Sequence, residues 1–168
     1  MNAVRNLAVV IILLLSGCAA ETFTIETEAT GTKIIRGSFH RSVLEEGEDF
    51  SWFRTHYDAY RPDSAAVAAM RPLVKDLRVI IIAGTWCGDS KREVPKQFRI
   101  LDALGVPDER ITMVGVDRSK RSADSTTMLL RIFKVPTTIF FRGEQELGRI
   151  VEFPHETHEK DMLKLLSF

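Results

Sequence analysis

Cys87 lies between an apolar stretch and a helix-like stretch, in the run Trp86-Cys87-Gly88-Asp89-Ser90. The apolar stretch, Val79 to Ala83, predicts a buried strand, so we expect the cysteine to lie where a strand is followed by a helix. A sulfur at the N-terminal end of a helix lies at the positive end of the helix dipole, which favours the nucleophilic thiolate. The sequence therefore predicts a reactive thiol at Cys87.

The position where a second thiol would act holds Ser90. A hydroxyl can donate a hydrogen bond to a thiolate, but it cannot attack a disulfide. We therefore predict Cys87 and Ser90 as the catalytic residues, with the cysteine as nucleophile and the serine as its hydrogen-bond donor. The charge of Asp89 opposes the thiolate, whereas those of Lys91 and Arg92 favour it, so the net effect of these neighbours stays open.

The elements that must position this site follow from the pattern of apolar residues. From residue 65 onward the pattern predicts the order helix, strand, helix, strand, helix, strand, strand, helix. A parallel pair followed by a hairpin predicts a mixed central sheet with helices on both faces, a three-layer α/β/α fold. The expected elements are a helix from Ala65 to Leu77 capped by Ser64, a strand from Arg78 to Ala83, a helix from Gly88 to about Leu104 kinked at Pro95, a strand from Ile111 to Val116, a helix from Asp124 to Phe133, a hairpin of Thr137 to Phe141 with Glu146 to Val151, and a helix from His155 to Leu166.

The chain before residue 65 gives weaker signals. The polar, Thr-rich stretch Glu21 to Gly37 predicts a tether that leads into one or two short strands. Between Ser42 and Tyr60, aromatic residues recur at helical spacing. They could form a substrate-facing wall, but this spacing favours a helix that packs on the sheet. The aromatic residues are Phe50, Phe53, Tyr57 and Tyr60.

The first residues have the features of an export signal. Leu7 to Leu15 is an unbroken apolar run, too short to span a bilayer and of the right length for a signal peptide core. It leads into Leu15-Ser16-Gly17-Cys18, which resembles the bacterial lipobox, whose cysteine is lipidated and becomes the first residue of the mature protein. The alternative is an ordinary cleavage site that contains a cysteine. Ala19 follows, and by this resemblance the absence of Asp there favours the outer membrane in a Gram-negative cell.

These signals divide the chain into a signal peptide over residues 1–17, a lipid-anchored tether with short strands over 18–40, and one domain over 41–168. The protein is then expected in the bacterial cell envelope, anchored by lipid on Cys18 and facing the periplasm. The chain has two cysteines. With Cys18 lipidated, Cys87 is the remaining thiol, and no internal disulfide can form.

Composition argues against some other kinds of site. The 168-residue chain has a formal net charge of zero, so nothing indicates nucleic acid as a partner. The cluster Arg118, Lys120 and Arg121 is expected to be a solvated loop. His155 and His158 lie one helical turn apart and could share a metal, but a solvated helix start is favoured. We predict no metal site and no cofactor.

Three landmarks in this order resemble the thioredoxin superfamily. Trp86-Cys87-Gly88 resembles the first half of its active-site motif, Pro95 its helix-kinking proline, and Val135-Pro136-Thr137 the loop whose proline is cis. Gly148 is similar to a glycine of its last strand. The resemblance covers about residues 65–168. The wider run from Gly84 to Lys91 is similar to an exported bacterial branch of the superfamily.

The resemblance implies a docking surface around the sulfur, where the cis-proline loop pairs with an incoming extended peptide. Its residues would be Trp86, Gly88, Asp89, Val135, Pro136 and Thr137. Two positions depart from the family pattern. Ser90 replaces the resolving cysteine, and Ile81 occupies the place of a buried acid that accepts a proton during release. Both losses affect the release of a bound partner.

The expected activity is therefore monothiol thiol–disulfide exchange through Cys87. Its partners would be envelope proteins with cysteines or disulfides, and a small-molecule or protein thiol would act as the reductant that resolves the mixed disulfide. The alternative is a redox-inactive, binding or chaperone-like lipoprotein with the same fold, in which Cys87 is vestigial.

Overall fold

The computed structural model describes residues 22–167, which form a six-stranded mixed sheet with helices packed against it. The expected signal peptide and Cys18 lie outside the described residues. The strands are β1 Thr22–Thr27, β2 Lys33–Phe39, β3 Leu77–Ala83, β4 Ile111–Gly115, β5 Thr137–Arg142 and β6 Gln145–Val151. The helices are α1 Ser42–Glu46, α2 Trp52–Ala59, α3 Ser64–Met70, α4 Gly88–Leu104, α5 Thr126–Leu129 and α6 His158–Leu166. Short 3₁₀ turns cover Glu48–Phe50, Arg71–Leu73 and Asp108–Arg110.

The strand order across the sheet is β1-β2-β4-β3-β5-β6. β3 and β4 run parallel, with Val79 opposite Ile111 and Ala83 opposite Gly115. The other neighbouring pairs are antiparallel, including the β5–β6 hairpin. The order of elements predicted from residue 65 onward is confirmed, and so is the mixed sheet.

Side chains of β3 alternate between two cores, which is why Val79 to Ala83 is apolar at every position. Val79 and Ile81 face the larger core, which also contains residues of α2, α3, α4 and α6. Ile80 and Ile82 face a smaller cluster on the other side of the sheet, together with Ile132 and Val135. This arrangement places the sheet between two layers, as the three-layer prediction requires.

Residues 22–39 contribute more to the fold than a tether would. β1 and β2 form an antiparallel hairpin, and β2 pairs with β4 through Gly37 opposite Gly115. The aromatic residues that follow pack inward: Phe50 and Phe53 are buried, and the Phe53 ring contacts Phe98 of α4 edge-on. The packing explanation of the aromatic spacing is therefore the correct one.

Three predicted helices are shorter than expected. α3 ends at Met70, and its N-cap is Asp63, not Ser64, because the Asp63 carboxylate accepts hydrogen bonds from two backbone amides of the first turn. α5 covers only Thr126–Leu129, because the backbone of Arg131 turns into the left-handed region with φ 54°. α6 begins at His158, where the Thr157 hydroxyl caps it.

Candidate functional site

Cys87 is the N-cap residue of α4, the longest helix among the described residues. Its backbone is extended (φ −87°, ψ 125°), and its carbonyl oxygen accepts a hydrogen bond of 3.0 Å from Lys91 N. Its own amide donates to Gly84 O at 2.9 Å, which closes the turn after β3. The side chain is a half-buried free thiol. The sulfur therefore lies at the positive end of a 17-residue helix, the position that the sequence predicted.

The loop before β5 lies directly beside this sulfur. Cys87 Sγ is 3.5 Å from Val135 O and donates a hydrogen bond to it, and the Val135–Pro136 peptide bond is cis. Thr137 Oγ1 donates to Lys134 O at 2.7 Å and so holds the loop closed. Two residues distant in sequence, Cys87 and Val135, are thus brought together as the resemblance implied.

Ser90 lies beneath the turn, with 1% of its surface exposed. Its Oγ accepts a hydrogen bond of 3.2 Å from Gly84 N. Among residues 22–167 the hydroxyl has this partner and not Cys87 Sγ, so the predicted hydrogen bond to the sulfur is not formed in this structure. Ser90 instead fixes the turn that presents the cysteine.

Trp86 lies against the loop that follows β4. Its indole Nε1 donates to Val116 O at 2.9 Å. Gly84 makes room for this ring, because a Cβ at that position would lie 2.7 Å from the indole Cε2 and Nε1 atoms. The guanidinium carbon of Arg118 lies 5.2 Å from the ring centroid, and Lys120 Nζ lies 5.8 Å from it. These cations lie in the loop after β4, and Arg118 and Arg121 are exposed, as expected of a solvated loop; the contacts of Arg118 and Lys120 with the Trp86 ring were not predicted.

The other residues expected to dock a partner lie around the sulfur. Gly88 is exposed and Asp89 is half-buried in the first turn of α4. The Asp89 carboxylate accepts a hydrogen bond of 2.7 Å from Arg92. Pro136 is buried, and its carbonyl oxygen accepts a hydrogen bond of 2.7 Å from the amide of Glu152.

A buried carboxylate that sequence reasoning missed lies one turn beyond Ser90. Glu93 Oε2 lies 2.9 Å from His158 Nε2 of α6 and 3.1 Å from Lys96 Nζ, and Arg92 Nε donates to Oε1. Burial acts to raise the pKa of Glu93, but the hydrogen bonds from His158, Arg92 and Lys96 outweigh it and lower the pKa to about 2. The carboxylate is therefore ionised near neutral pH, and His158 Nε2 must be the donor.

This pair corrects the interpretation of the histidines. His158 is 2% exposed and joins α6 to α4, so it does not belong to a solvated helix start. His155, which is exposed, lies before the helix. Within residues 22–167, no group of three or more His, Cys, Asp or Glu side chains is placed to hold a metal ion. In the same range, no helix is long and apolar enough to cross a membrane.

A groove of about 470 Å³ lies beside the Pro136 loop. Lys134 Nζ, at its edge, pairs with Glu152 Oε2 at 2.6 Å. Its lining is a mixture of apolar and charged side chains, among them Ile150, Phe153 and Arg149. Sequence reasoning did not find this groove, because its walls come from β6, from α6 and from the loop that joins them.

The arrangement can bring one sulfur nucleophile against a partner's disulfide. Attack by Cys87 would form a mixed disulfide, and no second thiol lies among the described residues to resolve it. The buried side chain of Ile81 is apolar and can accept no proton. Residues 22–167 thus supply neither a resolving thiol nor, at position 81, a proton acceptor for a release step.

Comparisons with known proteins give no family assignment. No protein-family model matches the chain, and no curated protein matches it. Among solved structures, the chain is similar to a protein of unknown function from Pseudomonas aeruginosa, with 14% identity, 76% of this chain and 81% of that chain covered, and a TM-score of 0.48. It is also similar to an HIV epitope-scaffold, with 16% identity and a TM-score of 0.48; the match covers 75% of this chain and 80% of that chain. Membership of the thioredoxin superfamily therefore stays a prediction.

Proposed function

We propose that this protein is a lipid-anchored, thioredoxin-like protein of the bacterial envelope that carries out monothiol thiol–disulfide exchange through Cys87. The observation that supports it most directly is the position of the sulfur. It lies at the N-terminal end of α4 and 3.5 Å from the carbonyl oxygen of Val135, in the loop that ends at Pro136. A helix N-terminus favours the thiolate, and the half-buried sulfur remains open to a partner.

The proposed exchange has three steps. The Cys87 thiolate attacks one sulfur of a partner's disulfide, a Cys87–partner disulfide forms, and the other partner sulfur leaves with the electron pair and takes up a proton. An external thiol then attacks the Cys87 sulfur and expels the partner as a thiol. A second equivalent of that thiol frees Cys87 and leaves as the oxidised external disulfide.

Two features of the chain support an external resolving thiol. Ser90 stands where an internal resolving cysteine would act, and its hydroxyl is engaged with Gly84 N. Ile81, fully buried in β3, stands where a proton acceptor for release would be expected from the resemblance. The partners would be envelope proteins with cysteines or disulfides, and the reductant would be a small-molecule or protein thiol.

A redox-inactive binding protein is the second candidate, and one observation favours it. The Val135 carbonyl accepts a hydrogen bond from the S–H of Cys87 at 3.5 Å, while Ser90 Oγ is bonded to Gly84 N and not to the sulfur. In that case the same surface would hold a partner without covalent exchange. The Cys87→Ser variant would then recover the same partners as the wild type.

The deciding experiment isolates the protein from its native envelope without reductant and identifies disulfide-linked adducts. If exchange occurs, adducts on Cys87 persist, because the chain cannot resolve them. The Ser90→Cys variant is the matched control: it supplies a resolving thiol, so its adducts should largely disappear. Repeated recovery of Cys87 as a free thiol, with partners retained by Cys87→Ser, would favour the binding protein instead.

A further inference from the structure

Three large apolar side chains that precede the Pro136 loop in the chain are largely exposed. The exposed fractions are 72% for Met128, 75% for Leu129 and 80% for Phe133. All three belong to residues 117–134, the segment between β4 and the Pro136 loop. A cluster of exposed apolar side chains of this kind marks an interaction surface more often than it marks ordinary solvated surface.

This 117–134 segment shares an apolar cluster with the site. Leu130, Trp86 and Cys87 pack against one apolar cluster that also contains Ile132 and Val135. The segment is therefore continuous with the site proposed above, and a chain bound at the sulfur would contact it.

The same segment carries an excess of positive charge, although the whole chain is neutral. It contains five cationic and two acidic side chains. Both acids are already bonded within it: Asp117 Oδ1 accepts from Ser119 N at 2.8 Å, and Asp124 Oδ1 accepts from Thr126 N at 3.0 Å. The cations are Arg118, Lys120, Arg121, Arg131 and Lys134.

Two of these cations form no salt bridge with the part of the chain that the structure describes. Arg131 is exposed, and within residues 22–167 neither it nor Lys120 forms a salt bridge. Lys120 lies over the Trp86 ring, next to Cys87. Positive charge without a salt bridge among the described residues thus lies in the same segment as the exposed apolar side chains.

These observations favour one kind of occupant. A second copy of this chain would bring the same cations face to face, which disfavours it. An anionic bilayer would complement the positive charge of the segment, but it contains no sulfur that Cys87 could attack. We propose that the 117–134 segment binds an extended segment of a partner protein that carries apolar side chains and Asp or Glu next to its reactive cysteine. This inference rests on the proposed function and names the substrate class of the same site.

The test measures exchange with single-cysteine peptides, each activated as a mixed disulfide with thionitrobenzoate. Cys87 attacks the peptide sulfur, the Cys87–peptide disulfide forms, and thionitrobenzoate leaves with the electron pair and is read by its absorbance. Each peptide has either apolar or Gly/Ser residues next to its cysteine, and these are combined with either acidic or basic residues. Each rate is divided by the rate of N-acetylcysteine with the same peptide, which removes differences in intrinsic reactivity.

At low salt, the apolar acidic peptide should react about tenfold faster than the apolar basic one, and high salt should reduce this ratio to below about threefold. It should also react about tenfold faster than the Gly/Ser acidic peptide at both salt concentrations, because apolar contact is not screened. Phe133→Ser should reduce the preference for apolar over Gly/Ser flanks. Arg131→Glu should reduce the preference for acidic over basic residues. The matched controls are Ile25→Ser, an exposed apolar residue of β1, and Lys75→Glu, an exposed lysine before β3.

Three results would overturn the inference. Equal normalised rates for all peptides would remove the substrate class while leaving exchange through Cys87 intact. No reaction with any peptide or with a small disulfide would remove the proposed function as well. Binding to vesicles of phosphatidylglycerol and phosphatidylcholine that depends on Phe133, without any preference among peptides, would assign the surface to the bilayer.

Discussion

Replacing Glu93 by Gln tests the buried, hydrogen-bonded Glu93–His158 pair that joins α4 to α6. The substitution keeps the shape of the side chain and removes its charge. In the wild type this carboxylate accepts hydrogen bonds from His158 of α6 and from Arg92 and Lys96 of α4. An amide oxygen can replace only part of these interactions, so we expect Glu93→Gln to destabilise the protein near neutral pH.

The size of the effect follows from the pKa of Glu93, which falls from an ordinary 4.5 to about 2. A lowered folded-state pKa stabilises the fold above the ordinary value, and this stability is lost as the pH falls from 4.5 toward 2. Each unit corresponds to about 1.4 kcal/mol, so the free energy of unfolding should lose about 2 kcal/mol between about pH 7 and about pH 3. Because Arg92 is 46% and Lys96 26% exposed, solvent screening reduces this to about 1 to 2 kcal/mol.

The assay is urea unfolding of wild type and Glu93→Gln between about pH 7 and about pH 2. The wild type should be more stable near pH 7, and the difference should shrink toward zero as the pH approaches 2. Glu144→Gln, in the exposed turn of the β5–β6 hairpin, is the matched control and should follow the wild type. Parallel stability curves for wild type and Glu93→Gln would refute the reasoning, because they would show that folding does not perturb this carboxylate.

Three further predictions concern the active-site turn and the fold. Cys87 should alkylate with iodoacetamide at neutral pH at least about threefold faster than free cysteine, and equal rates would count against a helix effect on the sulfur. Gly84→Ala should displace the Trp86 indole, because the new Cβ would lie 2.7 Å from it; unchanged tryptophan emission would contradict this. Asp63→Ala should lower the free energy of unfolding by about 1 kcal/mol, whereas Ser64→Ala should cost much less, because Asp63 is the residue that caps α3.

The sheet was predictable because its central strands carry an unambiguous signal. Val79 to Ala83 is apolar at every position, which a strand covered on both faces requires. Helix ends were less predictable. The pattern predicted a helix from Asp124 to Phe133, but α5 is only four residues long, and Met128, Leu129 and Phe133 are exposed. Periodicity cannot distinguish apolar residues that pack inward from those that form a surface.

The site was predictable where it depends on order along the chain. The loop before β5 had to lie near Cys87, because β3 and β5 are neighbours in the sheet. The Glu93–His158 pair was not predictable in this way. The two residues are 65 positions apart on separate helices, and their contact depends on how those helices are rotated toward each other. A single acid or histidine on an amphipathic helix has the same sequence signature as a solvated residue.

Because β1 begins at Thr22, only a short stretch of chain joins the proposed lipid anchor to the sheet. With a lipid on Cys18, as proposed, the chain between the anchor and Thr22 can extend to at most about 14 Å. Phe23 of β1 and Ala83 of β3 lie in one row across the sheet, three strand spacings or about 14 Å apart. The extended chain after the anchor and the width of the sheet together would hold the Cys87 sulfur within about 30 Å of the bilayer surface. The substrates would then be neighbouring lipoproteins or membrane proteins at the membrane surface, and not proteins deep in the periplasmic space.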